Sequence, residues 1–172
     1  MGIAIAARER ANCRGMRVGA VLVMDGRVVS TGYNGTPMGM NNCDEGGCER
    51  CANRESRFPS GTGYDICICV HAEQNAILNA ARFGIHVEGG VIYTTTRAVF
   101  GSTKELLQAK VKAVYYLHEW RHPDESLWPE YKKLKRESLM ASSSWTCQTR
   151  VRIGQCRVSR RFGRRPGAKR HS

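Results

Sequence analysis

The sequence predicts an α/β fold, a mixed sheet covered by helices on both faces. Three features predict it. Two β-rich runs are joined by Asp25-Gly26 near the start, helical and strand patterns then alternate, and the hydrophobic fraction is 41%, enough for one buried core. With 172 residues the chain suits one compact domain plus a remainder.

Taken in order, residues 3–11 are Ala-rich and predict a first helix. Val18-Gly19-Ala20-Val21-Leu22-Val23-Met24 and Arg27-Val28-Val29-Ser30-Thr31-Gly32-Tyr33 flank Asp25-Gly26, a hairpin signal. Residues 34–65 are rich in Gly, Asn, Cys and charge and read as a loop. A loop of that length is functional or tied down by something. Ala72, Ala76, Ile77 and Ala80 give a buried helical stripe that Gly84 stops. A strand follows over residues 90–95, a helix over 103–110, a strand over 111–117, and a charged helix opening at Pro123-Asp124 and running to about Arg136. The order α-β-β-α-β-α-β-α is what predicts the fold class.

The net charge of +12 is unevenly spread. From Ser143 onward there are nine basic residues and no acid, so +12 less nine leaves a body near +3. The organisation expected is a domain over residues 1–138 and a basic tail over 139–172, disordered or aberrant. No apolar run approaches the roughly 20 residues of a membrane span. The first ten residues are too short and too charged for a secretory signal. A soluble, cytoplasmic protein without membrane partners is the expectation. Of the eight cysteines, six fall between Cys13 and Cys69. Clustered cysteines in a reducing compartment point to metal or to chemistry.

His71-Ala72-Glu73 opens the second helix. A histidine there can offer a ring nitrogen to zinc. A glutamate two residues on can reach a metal-bound water and move its protons. Alone, His-x-Glu is an ordinary helix start; the zinc nucleobase deaminases pair it with a later Pro-Cys-x-x-Cys. Further motifs stand in order with it: Cys13 through Val18-Gly19-Ala20, Gly32-Tyr33-Asn34-Gly35-Thr36-Pro37, Cys43-Asp44-Glu45-Gly46-Gly47-Cys48, and His71-Ala72-Glu73-Gln74-Asn75-Ala76-Ile77. With these the chain resembles the zinc-dependent deoxycytidylate (dCMP) deaminase family, from the N-terminus to about Asp124.

The resemblance implies a three-layer α/β/α sandwich with a cytidine deaminase-like mixed sheet. It implies hydrolysis of dCMP to dUMP and ammonia with zinc, in pyrimidine nucleotide supply. It makes His71 a zinc ligand, Glu73 the proton shuttle, and Asn34 a residue that helps hold the nucleotide. Read without it, Asn34 is a turn residue, since Asn-Gly is a common turn dipeptide. Trp120 is a substrate-binding candidate as a cap on the base, with Arg121 or His122 near the phosphate; the other reading is a solvated loop with one packed Trp. Arg17, beside the first strand, is a further phosphate candidate. Some family members are regulated by dCTP and form homo-oligomers.

One motif departs from the pattern. Where the family has Pro-Cys-x-x-Cys, this chain has Ala98-Val99-Phe100-Gly101-Ser102. Val99 offers no donor, and Ser102 offers a hydroxyl that is neutral at pH 7, so two of three zinc ligands are lost. The expectation is little or no deaminase activity, with a nucleotide-binding pseudoenzyme or regulatory subunit as the alternative. Nucleic-acid binding by the tail is set aside: the tail has no motif and, after Trp145, only Phe162 as an aromatic. The choice between dCMP and CMP or dCTP stays open.

A second zinc is expected elsewhere. Cys48-Glu49-Arg50-Cys51 is a Cys-x-x-Cys knuckle, a common half of a zinc site. The resemblance implies that Cys13, Cys43, Cys48 and Cys51 form a structural site tying the loop to the first helix; free thiols in a mobile loop are the other reading. Cys67 and Cys69 alternate with Ile66, Ile68 and Val70 and read as small core residues, either able to replace one of the four.

Overall fold

The computed structural model describes residues 1–137. The tail expected over residues 139–172 lies outside them.

Helix α1 (Gly2–Arg8) leads to strands β1 (Gly19–Met24) and β2 (Arg27–Tyr33). Their hairpin turns on Asp25 and Gly26, both at positive φ (48° and 76°). That is the pair of left-handed residues a two-residue turn needs to match the strands' twist. After a long loop come α3 (Ala72–Arg82), β3 (Val91–Thr96), α4 (Phe100–Gln108), β4 (Ala113–His118) and α5 (Trp128–Glu137). The sheet order is β2-β1-β3-β4. β1 is antiparallel to both neighbours, and β3 and β4 are parallel, with α4 as their crossover.

Register sets the two faces. Leu22 pairs with Ile92, and Ile92 with Val114. These side chains share one face with Ala20 and meet Ala72, Ala76 and Ala80 of α3 and Leu106 of α4 in the buried core. α1 covers the opposite face. Two glycines let the helices come this close. A Cβ on Gly32 would lie 2.1 Å from the Ala72 carbonyl oxygen, and one on Gly19 would lie 2.2 Å from that of Ala4. Both distances are far inside van der Waals contact. The mixed sheet with helices on both faces is therefore present.

The element boundaries correct the sequence reading in three places. α1 ends at Arg8, and residues 9–11 close it with tighter i→i−3 bonds. α4 starts at Phe100 and not near residue 103, because Val99 takes the extended cap conformation and its carbonyl accepts from the Thr103 N–H at 2.9 Å. α5 starts at Trp128 and not at Pro123-Asp124. Asp124 caps a single 3-10 turn (Glu125–Leu127), accepting from the Ser126 N–H at 2.9 Å. The long loop carries a second 3-10 turn (Cys43–Glu45) and a one-turn helix α2 (Glu49–Ala52). No described helix is long and apolar enough to cross a membrane.

Candidate active site and thiol cluster

The N-termini of α3 and α4 converge at the carboxyl end of β3, where ligands of α/β sheets are received. His71 is the N-cap of α3 and Val99 that of α4. Gln74 fixes their relation. Its amide oxygen accepts from the His71 N–H at 2.7 Å, and its amide nitrogen donates to Glu105 of α4 at 2.7 Å. The imidazole is thereby held against α4, with His71 Nδ1 at 3.1 Å from Ser102 Oγ.

Glu73, in the first turn of α3, is only 3% exposed. A carboxylate so placed needs hydrogen bonds to offset its lost hydration. The Thr94 hydroxyl donates one at 2.6 Å. Thr94 is itself fully buried on β3, so Glu73 is a fixed group.

His71, Glu73, Asn34, Val99 and Trp120 all line one cavity of about 380 Å³. The structure thus brings together five of the residues singled out in the sequence. Ser102 sits behind His71, fully buried. Arg17 is not among them: it is exposed and absent from the cavity wall. Its position before β1 turns it to solvent, and the basic side chains that line the cavity are Arg50, Arg54 and Arg97. Arg50 is committed to the loop, its guanidinium donating to the Thr62 carbonyl at 2.9 and 3.2 Å and lying 4.5 Å from the Tyr64 ring centre. Arg97 pairs with Glu119 at 2.5 Å. Burial raises the Glu119 pKa, but hydrogen bonds from Arg97 and Tyr116 outweigh it and hold the carboxyl below its ordinary value. Neither Arg54 nor Arg97 carried a sequence signal, since each lies in a segment without a recognisable motif.

Asn34 is 7% exposed. Its oxygen accepts from the Val18 N–H at 2.7 Å and its nitrogen donates to the Met16 carbonyl at 2.8 Å. It therefore braces the segment before β1, with one lone pair and one N–H left over. Trp120 stands edge-on to Tyr64, centroids 6.3 Å apart, and to His122 at 6.0 Å. His122 is used by the fold: Nδ1 accepts from the Asp124 N–H at 3.0 Å, and Nε2 donates to the Gly61 carbonyl at 3.0 Å. Arg121 is exposed and lies 5.7 Å from the Trp128 ring centre.

On this donor set a catalytic zinc does not fit. His71 faces a neutral hydroxyl, Val99 brings only methyl groups, and a catalytic zinc takes three protein ligands. Among the described residues, neither group of side chains close enough to share a metal includes His71.

Both groups consist of cysteines. Cys13, Cys43, Cys51 and Cys69 form one, and Cys48, Cys51, Cys67 and Cys69 the other. Neither is the set expected from the sequence, although all four expected residues are present in the cluster. The difference is the segment before His71. Its alternation turns Ile66 and Ile68 outward, 56% and 38% exposed, and buries Cys69 against the other thiols. The neighbouring Cys69 thiol pulls the Cys13 thiol down to about 6 and the Cys67 thiol down to about 5. Cys69 is itself raised strongly by those same neighbours, and burial raises Cys51 and Cys43.

Residues 1–118 match the model of the cytidine and deoxycytidylate deaminase zinc-binding region. The chain belongs to the cytidine and deoxycytidylate deaminase family. The deoxycytidylate deaminase of Schizosaccharomyces pombe is 42% identical over 116 residues, 67% of this chain and 35% of that protein. That of Saccharomyces cerevisiae is 35% identical over 152 residues, 88% of this chain and 46% of that protein. The chain thus spans a third to a half of the length of these relatives. Among solved structures, dCMP deaminase of the cyanophage S-TIM5 in complex with dCMP and dUMP superposes with a TM-score of 0.60. The identity is 27%, covering 81% of this chain and 89% of that one. The fold is the cytidine deaminase-like α/β fold of these deaminases.

Proposed function

We propose that this deaminase-family chain binds a pyrimidine deoxynucleotide, dCMP in the first instance, in the His71–Glu73 cavity, and that its hydrolytic deamination is severely impaired. The observation that carries the reading is the 3.1 Å contact of His71 Nδ1 with the Ser102 hydroxyl. This contact supports the reading that the positions completing a zinc site in the family are taken here by Ser102 and by Val99, which lines the same cavity. Zinc supplies the family's nucleophile by acidifying water, and of the three donors expected here only His71 has a side chain suited to bind it. What the chain's own residues can do is bind. Glu73 presents a fixed carboxylate to a cytosine edge, Tyr64 and Trp120 offer aromatic faces, and Arg54 or Arg97 offers positive charge to a phosphate.

The reading places the protein in cytoplasmic pyrimidine nucleotide metabolism, with homo-oligomerisation and response to dCTP as further expectations. Calorimetry with dCMP, run beside an ammonia assay on the same sample, tests it. The expected result is saturable dCMP binding with no ammonia above background. Turnover at the rate of an intact family member rejects the impairment; absence of binding by dCMP, CMP and dCTP rejects the pocket assignment.

A further inference from the structure

We propose that Cys13, Cys43, Cys48, Cys51, Cys67 and Cys69 hold two zinc ions as one binuclear thiolate cluster, with Cys51 and Cys69 bridging the ions. The proposal is independent of whether dCMP is turned over.

The two four-thiol groups are not separate sites. They share Cys51 and Cys69, and each adds a pair of its own: Cys13 with Cys43, and Cys48 with Cys67. Two tetrahedra that share an edge have this composition: six sulfurs, two of them common to both. The distances agree with it. Zinc–sulfur bonds of about 2.3 Å in a tetrahedron put the sulfurs about 3.8 Å apart. The shared edge, Cys51–Cys69, is 3.9 Å. On one side Cys48–Cys67 is 3.9 Å and Cys51–Cys67 is 3.8 Å. On the other Cys13–Cys51 is 3.7 Å. A disulfide needs sulfurs about 2.05 Å apart, so these contacts are not disulfides.

A single zinc accounts for four of the six thiols. It leaves a pair stranded against thiolates, either Cys48 and Cys67 or Cys13 and Cys43, and of these four only Cys67 is half-buried while the rest are buried. Two zinc ions use all six. Their charge of +4 against six thiolates leaves −2, and Arg50, 7% exposed and next to Cys51 in sequence, interacts with Cys51 and Cys67 and balances part of it. The Arg14 N–H donates to Cys43 Sγ at 3.3 Å, the kind of outer hydrogen bond that steadies a metal thiolate. An all-sulfur tetrahedral set selects zinc over the harder divalent cations. Four chain segments meet here, so the cluster is what ties down residues 34–70. Cys13, Cys51, Cys67 and Cys69 also line the cavity, so the cluster forms one of its walls.

The test is metal analysis of the full chain purified with zinc, with X-ray absorption at the zinc edge. The expected result is two zinc ions per chain, sulfur-only first coordination, and a zinc–zinc distance of roughly 3 Å, as edge-sharing tetrahedra require. His71→Ala should leave the count at two, which separates the cluster from an ion at the His71 position. The double variant Cys48→Ser/Cys67→Ser should fall to one zinc and lose the metal–metal signal, with the wild-type absorption data deciding the matter if that variant does not fold. One zinc per chain in the wild type, two without a metal–metal signal, loss of one ion in His71→Ala, or iron in place of zinc would each overturn the proposal.

Discussion

At the scale of single residues, the Thr94–Glu73 bond decides how the site behaves. A buried carboxylate that accepts a short bond from a buried hydroxyl is held in one orientation at the cavity wall. Thr94→Val removes the donor without changing shape much, and a hydrogen bond to a charged group contributes about 1.5–3 kcal/mol. The expected outcome is a loss of that size in denaturant-derived stability. In the Glu73→Gln background the loss should be smaller, since the charge is gone. An equal loss in both backgrounds, read from the double-mutant cycle, would show that the charged contact is not formed in solution. Asn34 illustrates the same scale differently. Its amide braces the backbone at Met16 and Val18, so Asn34→Ala should cost about 1 kcal/mol of stability besides any effect on nucleotide affinity.

At the scale of elements, close approach of α3 to β2 rests on Gly32, whose missing side chain leaves room for the Ala72 carbonyl. Gly32→Ala forces the helix away and should cost about 3 kcal/mol, at the upper end of overpacking penalties. Gly101 is the control. It lies inside α4 with nothing within 4 Å of an added Cβ, so Gly101→Ala should stabilise by about 0.5–1 kcal/mol. Opposite signs in thermal melts are the expected outcome; equal signs would contradict the packing described.

The elements were legible in sequence where local chemistry set them. Asp25-Gly26 imposed the hairpin, and the alanine stripe of residues 72–80 imposed α3. The start of α4 was less so, because its cap is Val99, a residue without capping chemistry, held by its tertiary position. Of the candidate site, the sequence marks His71, Glu73 and Val99, and the structure puts these three on the wall of one cavity with Ser102 behind His71. The partnership of Cys67 and Cys69 with the distant cysteines was not. Alternation shows that two side chains share a face, but not which distant residues that face meets. Arg17 shows the same limit: proximity to a strand in sequence does not fix on which side of the chain a long side chain lies, and here it lies in solvent away from the cavity wall.

At the scale of the whole molecule, the thiol cluster forms a wall of the cavity proposed to take the nucleotide, so metal and ligand should be linked. Stripping zinc with a strong thiol-competing chelator should lower the unfolding temperature and weaken dCMP binding together, because metal binding energy at such sites is folding energy. Binding left intact after complete zinc removal would uncouple the two. The tail should matter less. A chain ending at residue 138 loses most of the excess positive charge and should bind dCMP as the full chain does, while any salt-dependent nucleic-acid binding disappears.

In the proposed reading, a deaminase scaffold stands here without the two sulfurs that the family's chemistry uses. It is tested most directly by ammonia release from dCMP, compared between the natural chain and Val99→Cys/Ser102→Cys, each assayed with zinc. Background rates are expected for the unaltered chain and a gain of at least about 10³-fold for the double variant, in keeping with the loss of a zinc-activated water. Turnover in the natural chain equal to that of the double variant would contradict it.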